Sequence, residues 1–493
     1  MIYQSTRNNN EKVNSARAVV KGIADDGGLY MLSDFSALNF DYKSILKLST
    51  METAEKVLGA LLDDFSDEEM HLMVESAYRG RFETDELTPV VKVGDNFVLE
   101  LFRGPTSAFK DVALSMLPRL MTKGREKLGI NKDTVILTAT SGDTGKAALE
   151  GFHDVDGIRI IVFYPNGGVS AVQKAQMVTQ EGNNVCVCAV NGNFDDAQNG
   201  VKRIFTSDEM EKKLAERGVS LSSANSINWG RLLPQIVYYF SAYADLLKDG
   251  EITNGEKINI VVPTGNFGNI LAAYYAMKMG LPVNRFICAS NENNVLTDFI
   301  NTGVYNRKRE FKTTISPSMD ILISSNLERF LFDISGEDSE KISELMAELS
   351  KEGKYDVGAD MLKKIGAILT GKCCDDKKTV ETIKEVFEKY SYVADTHTAV
   401  AIAAYNEYKS ETGDKTKTVI ASTASPYKFS KSVLEAVDSE RLCDDEFEII
   451  KSLKEISGLS VPASLAELSE KKVRFTDECK PAEMEDVVLG FLK

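Results

Sequence analysis

The sequence predicts an α/β protein with two open, mostly parallel sheets and a mostly helical N-terminal cap. Two observations carry this prediction: short β-branched runs alternate with helical patterns, and the runs are apolar at nearly every position. Such alternation is typical of parallel βαβ units. Strands that are apolar on both faces are expected where helices cover both sides of a sheet.

The alternating elements begin near residue 134. The predicted strands are Thr134–Ala139, Ile158–Tyr164, Asn184–Val190, Lys257–Pro263, Arg285–Ala289 and Thr418–Ser422. The predicted helices between and after them are Lys146–Phe152, Ser170–Gln180, Asp195–Leu214, Trp229–Leu247, Ile270–Met279 and Thr398–Lys409.

The whole chain divides into three predicted domains. Residues 1–95 are polar with helical patterns at Tyr42–Leu61 and Ser66–Tyr78, which predicts an N-terminal cap. We predict a smaller α/β domain over 96–225 and a larger one over 226–493. A lysine- and glutamate-rich stretch near 335–390 predicts a solvated helical insertion in the larger domain.

Composition and charge narrow the class of function. The 493 residues carry a formal net charge of −16, which argues against a nucleic-acid partner because nucleic acid requires a basic face. No apolar run approaches the roughly 20 residues that span a bilayer, and the first residues lack an apolar signal segment. The three histidines are not at metal-ligand spacing, so we predict no metal site. We expect a cytoplasmic protein, either monomer or homodimer, without a membrane partner.

One lysine has an unusual setting. The octet Gly104–Asp111 places Lys110 where a turn-prone loop enters an apolar helix. Burial there would lower the pKa of the Lys110 amine and supply the free base that covalent chemistry with an aldehyde needs. A solvent-facing lysine without a catalytic role remains the alternative for the octet taken alone.

Two glycine-rich loops each connect a predicted strand to a predicted helix. They are Thr140–Gly145 and Thr264–Asn269. Backbone N–H groups and the helix dipole at such a position suit a phosphate or carboxylate. A glycine turn that caps a helix and binds no ligand is the more common case for each loop alone. Beside Lys110, the pair indicates an aldehyde cofactor that carries a phosphate, which is pyridoxal 5'-phosphate.

Two further segments carry polar groups suited to ligands. In Asn225–Arg231, an arginine fork flanked by amides and a hydroxyl suits a phosphate, although a plain helix cap with a surface arginine would look the same. In Ala421–Pro426, hydroxyl groups follow the last predicted strand, where ligands of open α/β sheets bind. An ordinary turn is the alternative there.

Together these segments resemble the threonine synthase family of fold-type II pyridoxal-phosphate enzymes, whose fold is tryptophan synthase β-like. The resemblance covers nearly the whole chain and is carried by Asp25–Tyr30, the lysine octet, Ser141–Gly145, Asn225–Arg231, Gly265–Asn269 and Ser422–Phe429. The chain departs from the pattern at Asp143, where many relatives of the wider fold have asparagine beside the ring 3-oxygen. It also has Ser-Pro-Tyr-Lys-Phe at 425–429 where the family usually has His-Pro-Ala-Lys-Phe.

The resemblance implies a role for each segment. Lys110 is the catalytic residue and forms the Schiff base with the cofactor, while Thr423 meets the pyridine nitrogen. The cofactor phosphate is held by Gly265, Asn266, Phe267, Gly268 and Asn269. The substrate carboxylate is held by Ser141, Gly142, Asp143 and Thr144, and the substrate phosphate by Asn225, Ser226 and Arg231.

The implied reaction converts O-phospho-L-homoserine and water to L-threonine and phosphate, by γ-elimination and β-addition of water, in threonine biosynthesis. One alternative is another fold-type II lyase, either a serine or threonine dehydratase or a threonine synthase-like phospho-lyase. Asn225 and Arg231 count against a dehydratase, since its substrate has no phosphate. The other alternative is a non-catalytic or nucleotide-binding α/β protein that uses the glycine loops for phosphate alone.

Overall fold

The computed structural model describes residues 1–35, 37–140, 142–167 and 169–492 of the chain. Within these residues the main elements are two mostly parallel sheets, each with helices packed on it, and an N-terminal unit. The α/β class and the mostly parallel sheets predicted from the sequence are confirmed. In the same part of the chain, no helix is long and apolar enough to cross a membrane.

The larger sheet has the strand order β14–β11–β10–β15–β5–β4. Its strands are β4 (Val90–Val93), β5 (Asn96–Glu100), β10 (Ile258–Pro263), β11 (Val283–Ser290), β14 (Leu369–Cys373) and β15 (Thr418–Ser422). All neighbours are parallel except β4, which is antiparallel to β5. The central strands β10 and β15 are buried at every residue, as their continuous apolar sequence predicts.

Four helices accompany the larger sheet, of which the first precedes β10 and the others follow β10, β11 and β14 in the chain. They are α9 (Trp229–Lys248), α10 (Gly268–Lys278), α11 (Val295–Thr302) and α16 (Thr396–Thr412). Helix α16 packs on β10, β11 and β15. Because the strands are parallel, the loops that follow β10 and β15 open on the same edge of the sheet.

The smaller sheet has the order β16–β8–β7–β6–β9, with every neighbouring pair parallel. Its strands are β6 (Asp133–Ala139), β7 (Ile158–Pro165), β8 (Val185–Val190), β9 (Val219–Ser222) and β16 (Glu478–Cys479). The accompanying helices are α4 (Lys110–Lys127), α5 (Asp143–Phe152), α6 (Ala171–Val178), α7 (Phe194–Phe205), α8 (Asp208–Ala215) and α20 (Met484–Phe491).

One predicted helix of the smaller sheet is wrong. The stretch Asp195–Leu214 forms two helices, α7 and α8, with a break at Thr206 and Ser207. Ser207 is the N-cap of α8, and its hydroxyl accepts a hydrogen bond from the Met210 N–H at 3.2 Å. Serine favours this position because its oxygen satisfies an N–H at the helix start.

The N-terminal unit contains helices and also a small sheet. The predicted helix Tyr42–Leu61 is shorter than expected, because Ser49 caps an α-helix that begins at Thr50, and Tyr42–Ile45 forms a separate 3-10 turn. The helices are α1 (Ser15–Lys21), α2 (Thr50–Leu61) and α3 (Asp67–Tyr78), and α2 and α3 each begin with a capping box. The strands β1 (Ile2–Ser5), β2 (Lys12–Asn14) and β3 (Tyr30–Leu32) pair antiparallel in the order β2–β1–β3. Strands of three or four residues are too short to show a clear alternation in sequence.

The remaining elements lie between β11 and β15 or after β15. They are β12 (Val304–Asn306), α12 (Leu327–Ser335), α13 (Ser339–Glu352), β13 (Lys354–Asp356), α14 (Ala359–Ile368), α15 (Asp376–Tyr390), α17 (Ser430–Asp438), α18 (Glu446–Ser457) and α19 (Ala463–Ala466). The predicted insertion near 335–390 thus contains α13, α14 and α15, and its strand β14 extends the larger sheet at one edge.

The sheets are not contiguous in the chain. Strand β5, at 96–100, lies in the larger sheet, whereas β16, close to the C-terminus, lies in the smaller one. Membership of the two sheets therefore does not follow the predicted domain boundaries at residues 95 and 225, which remain a prediction.

Candidate active site

The loop that carries Lys110 is held against the segment that follows β15. The Phe109 N–H donates to the Thr423 carbonyl at 2.9 Å, and the Ser425 N–H donates to the Ser107 carbonyl at 3.1 Å. Ser107 has a φ of 60°, in the left-handed region, so the chain turns sharply just before α4 begins. These contacts fix Lys110, the first residue of α4, at the carboxyl edge of the larger sheet.

Asp111 supports the same loop from inside. Its carboxylate accepts hydrogen bonds from the Thr106 N–H at 2.8 Å, from the Thr106 hydroxyl and from the Ala108 N–H at 3.4 Å. Burial raises the pKa of Asp111 to about 6, although these hydrogen bonds oppose the rise. Gly104 is needed opposite Asp111, because a Cβ there would lie 2.6 Å from the carboxylate oxygen Oδ2.

Asp143, the first residue of α5, lies in a buried group of charges opposite Lys110. Its Oδ2 is 3.5 Å from Lys110 Nζ, and its Oδ1 is 2.7 Å from Lys428 Nζ. Gln173 Nε2 donates to Oδ1 at 3.0 Å, and the Ser318 hydroxyl lies 3.5 Å from Oδ2. Burial alone would raise the pKa of Asp143, but the two ammonium groups outweigh it and hold that pKa well below its usual range.

The Lys110 amine is the reactive group that this arrangement favours. The residue is 9% exposed, and burial lowers the pKa of its amine. The cations Lys428 and Arg231 lower this pKa further, while Asp143 opposes the shift. A lysine with a lowered pKa keeps more of its amine as free base, which can act as a nucleophile or a base.

The second glycine loop joins β10 to α10 through a strained turn. Phe267 has a φ of 62°, and α10 begins at the next residue, Gly268. A Cβ on Gly265 would lie 2.8 Å from the Ser318 carbonyl oxygen, so this close approach requires glycine. The N–H groups at the start of α10 have no carbonyl partner within the helix, which makes this loop a suitable anion site.

Asn326 links this loop to the Asn225–Arg231 segment. Its N–H and its Nδ2 each donate to the Asn266 carbonyl at 3.1 Å, and Nδ2 also lies 3.3 Å from the Ser226 carbonyl. Asn228 is the N-cap of α9, with its Oδ1 accepting from the N–H two residues on at 2.8 Å. The side chain of Asn225 is exposed. Ser226 is thus brought near the second glycine loop, whereas Asn225 faces solvent.

Among the buried donors without acceptors in these segments, taken over the described residues, are atoms of Arg231 and Asn269; Trp229 Nε1, which lies among aromatic rings, is another. Arg231 is 3% exposed; its Nη1 donates to the Ala224 carbonyl, while its Nε has no hydrogen-bond partner among the described residues. Burial lowers the pKa of Arg231 to about 10. Asn269 Nδ2 is likewise buried with no partner in the described part of the chain. Because an unsatisfied buried donor costs free energy, both atoms indicate positions for a ligand oxygen.

The other predicted site residues have the following positions. Ser141 lies outside the described residues. The Gly142 N–H donates to the Thr140 hydroxyl at 3.0 Å, and Gly142 has a φ of 139°, which favours glycine. Thr144 is half-buried in the first turn of α5. Thr423 is 6% exposed and directly follows β15, beside the lysine loop.

Several residues of the site were not predicted. His397 Nε2 accepts from the Ser318 N–H at 3.1 Å, and His397 Nδ1 lies 2.9 Å from Asp395 Oδ1. Together with Gln173 and Lys428, these residues surround Asp143 directly or through Ser318. The one local signal was an Asp-x-His sequence at the start of a predicted helix. Across the described ranges, no three His, Cys, Asp or Glu side chains are grouped so as to hold a metal ion.

These groups fit pyridoxal phosphate. Its aldehyde needs a buried amine with a lowered pKa, and Lys110 has both properties. Its phosphate needs backbone N–H groups at a helix start and a close backbone approach, which the Gly265–Asn269 loop provides. Asn269 Nδ2 adds a donor for which the described residues offer no acceptor.

Comparisons with known proteins agree with this geometry. A family model described as pyridoxal-phosphate dependent enzyme matches residues 86–359, and models of the threonine synthase N terminus and C-terminal region match residues 2–78 and 398–488. The chain is 35% identical over 495 residues to the threonine synthase of Saccharomyces cerevisiae, covering 93% of each. It is 39% identical over 435 residues to threonine synthase-like 1 of Homo sapiens, covering 86% of this chain but 58% of that protein.

A solved structure extends the comparison to the whole fold. The crystal structure of pyridoxal-phosphate-bound threonine synthase from Brucella melitensis has a TM-score of 0.88 at 35% identity and covers 100% of both chains. The cofactor, the fold class and the enzyme class predicted from the sequence are therefore confirmed. Matches in all three regions of the chain, together with a buried lysine beside Asp143 in the first glycine loop, show that this chain belongs to the threonine synthase family of fold-type II pyridoxal-phosphate-dependent enzymes.

Proposed function

We propose that this enzyme is a threonine synthase that converts O-phospho-L-homoserine and water to L-threonine and phosphate. The observation that carries the proposal is Arg231, a buried guanidinium whose Nε finds no acceptor among the described residues. Its charge is close enough to Lys110 to lower the pKa of that amine. A substrate phosphate would supply the missing acceptor through a charge-assisted hydrogen bond. The substrate of a serine or threonine dehydratase has no phosphate and would leave Nε unsatisfied.

Lys110 is the residue to which we assign proton transfer. Bound pyridoxal phosphate supplies a ring that withdraws electrons and stabilises negative charge at the substrate carbons. The Lys110 amine takes the Cα proton and moves protons at Cβ, because burial keeps a usable fraction of it as free base. In the balanced reaction, the Cγ–O bond breaks and phosphate leaves. The oxygen of water then bonds to Cβ, and Cγ gains a proton.

The remaining predicted residues hold the substrate and the ring. We assign the substrate carboxylate to the start of α5, at Ser141–Thr144, where the first N–H groups of the helix have no carbonyl partner within it. Thr423 is assigned to the pyridine nitrogen. A neutral hydroxyl there does not stabilise a proton on the pyridine nitrogen as a carboxylate would, so the ring withdraws electrons from the substrate less strongly, which favours elimination and replacement over transamination.

A second candidate uses the same phosphate site but adds no water at Cβ; water instead hydrolyses the C=N bond that is left after phosphate has been eliminated. The chain is 39% identical to threonine synthase-like 1 of Homo sapiens and 35% identical to threonine synthase of Saccharomyces cerevisiae, so sequence identity does not favour the synthase over this second candidate. A phospho-lyase of this kind would eliminate phosphate from the same substrate and release a 2-oxo acid and ammonia. Arg231 would serve both reactions equally, so only the product separates them.

The test is product analysis with the full chain and added pyridoxal phosphate. O-phospho-L-homoserine is supplied, released phosphate is measured, and the co-product is identified by chromatography. One threonine per phosphate supports the synthase, whereas phosphate with a 2-oxo acid and ammonia supports the phospho-lyase. Absence of phosphate release, in a protein whose visible absorbance band is lost on borohydride treatment, would reject both phosphorylated-substrate proposals and leave another fold-type II reaction.

A further inference from the structure

We infer that Lys428 is a positioning residue for Lys110: it holds Asp143 in a buried ion pair, so that the two side chains together present little net charge to the reactive amine. The inference rests on the proposed role of Lys110 and assigns a role to Lys428, which lies in the Ser422–Phe429 stretch but received no role from the sequence. It also concerns Asp143, the position where many relatives of the wider fold carry a neutral asparagine.

The geometry shows which cation Asp143 pairs with. The Lys428 side chain is 0% exposed, and its Nζ lies 2.7 Å from Asp143 Oδ1 and donates to the Thr106 carbonyl at 3.0 Å. Gln173 donates to the same carboxylate oxygen at 3.0 Å. Lys110 Nζ, in contrast, is 3.5 Å from Oδ2, beyond a normal hydrogen-bond length. The close partner of the carboxylate is therefore Lys428, and Lys110 is left at a looser distance.

The ion pair joins three separate parts of the site. Lys428 lies in a short 3-10 turn, Pro426–Phe429, that follows the last strand of the larger sheet. Asp143 begins α5 on the smaller sheet, and Thr106 belongs to the loop that carries Lys110. A purely structural role would also use such a contact, so the test needs a readout that responds to charge.

Charge balance gives that readout. If Lys428 were neutral, Asp143 would be a buried carboxylate whose nearest cation is Lys110, and it would favour the ammonium form of that amine. If Asp143 were neutral, Lys428 and Arg231 would act on Lys110 without opposition and favour its free base. Neutralising both restores the original balance. A charge role thus predicts opposite shifts in the single variants and cancellation in the double variant.

The other ionisable groups near Asp143 have partners of their own. Asp111 accepts three hydrogen bonds inside the lysine loop. His397 reaches Asp143 only through Ser318 and is paired with Asp395 at 2.9 Å. Lys146, one turn further along α5, is 3.2 Å from Glu150. The variants proposed below replace no partner in these pairs, but Lys428→Met removes a charge that lowers the pKa of Asp111. Asp143→Asn leaves that charge in place.

The experiment compares Lys428→Met, Asp143→Asn and the double variant in the full chain loaded with pyridoxal phosphate. The visible absorbance band, which would change when the cofactor-bound Lys110 nitrogen gains or loses a proton, is titrated against pH; nearby charges shift this proton in the same direction as they shift that of the free amine. Thermal unfolding of each variant is also measured. We expect the midpoint of the titration to rise by about one pH unit or more in Lys428→Met, a tenfold change in proton affinity, and to fall in Asp143→Asn. The double variant should return close to the wild-type midpoint.

Lys431→Met is the matched control. Lys431 is an exposed lysine in α17, three residues further along the chain, and its replacement should leave the midpoint unchanged. If Lys428→Met does not fold, the double variant and Asp143→Asn still decide the matter. The inference is overturned if Asp143→Asn leaves the midpoint where it is, or if the double variant fails to cancel the single shifts. Because the titration requires no substrate, this outcome is independent of whether O-phosphohomoserine is the substrate.

Discussion

Replacing Arg231 with methionine separates a functional role from a structural one. The change removes the guanidinium and keeps a flexible apolar side chain in its place. Arg231 is 3% exposed and donates through Nη1 to the Ala224 carbonyl, while its Nε has no partner among the described residues. A residue with so few contacts should contribute little to folding and much to ligand binding. We therefore expect Arg231→Met to weaken catalysis and to strengthen the cofactor-free fold.

The structure sets the size of both effects. Losing one member of a desolvated charge pair costs about 2–5 kcal/mol, so kcat/KM for O-phosphohomoserine should fall by about 30-fold or more. In the cofactor-free protein, burial lowers the pKa of Arg231 from 12.5 to about 10. That shift corresponds to a cost of about 3 kcal/mol for the buried cation at neutral pH, which methionine removes. The lost hydrogen bond to Ala224 offsets about 1 kcal/mol of the gain.

Three measurements check this reasoning. Phosphate release gives kcat/KM, denaturant unfolding gives the stability of the cofactor-free protein, and the change of the visible band with added serine gives binding of an amino acid without phosphate. Serine binding should barely change, and Arg231→Lys should recover only part of the activity because an ammonium lacks the planar fork. If Arg231→Met weakens serine binding as much as it lowers kcat/KM for O-phosphohomoserine, or if it destabilises the fold, then Arg231 is structural.

Three further predictions concern the cofactor site. Lys110→Ala should abolish turnover while the protein still folds, and borohydride reduction of the wild type should place the pyridoxyl label on Lys110 in a peptide map; a label on another lysine contradicts the assignment. Thr423→Asp should lower synthase turnover and increase side reactions with cofactor retained, so unchanged kinetics would remove Thr423 from the ring. Gly265→Ala should lower the melting temperature of the cofactor-free protein, since its Cβ would lie 2.8 Å from the Ser318 carbonyl oxygen. Gly268→Ala is its control, because the nearest atom to a Cβ there is 3.5 Å away. Equal melting temperatures for the two variants would contradict the steric argument.

The features that the sequence predicted well are those with a local cause. The strand Thr418–Ser422 was predicted with the bounds that the structure gives it, because a buried parallel strand is apolar at every residue. The lysine octet and the glycine loops are also local, since a close backbone approach or a helix start requires glycine or a small polar residue at a fixed spacing. Such requirements fix the residue types within a short segment, so the segment can be recognised from the sequence alone.

The features that were missed depend on contacts between distant parts of the chain. Ser318 and Asp143 are 175 residues apart along the chain, and Lys428 and Thr106 are 322 apart. The 425–429 stretch contains Lys428, but no local pattern shows that this lysine or Ser318 would face Asp143, because that setting arises only when the two sheets come together. The strand β14 was missed for a similar reason: its five residues lie at the edge of the sheet, within a charged helical stretch.

The unsatisfied donors also bear on how many anionic groups the site receives. Asn269 Nδ2 lies at the start of α10, and Arg231 Nε lies in the first turn of α9, on a different segment. Neither finds an acceptor among the described residues, and each is a buried polar atom that costs free energy until it is satisfied. A protein that bound a single phosphate on its glycine loop would satisfy the first donor and leave the second. Two separated donors, with a reactive lysine whose pKa one of them lowers, instead favour one phosphate on the cofactor and another on the substrate.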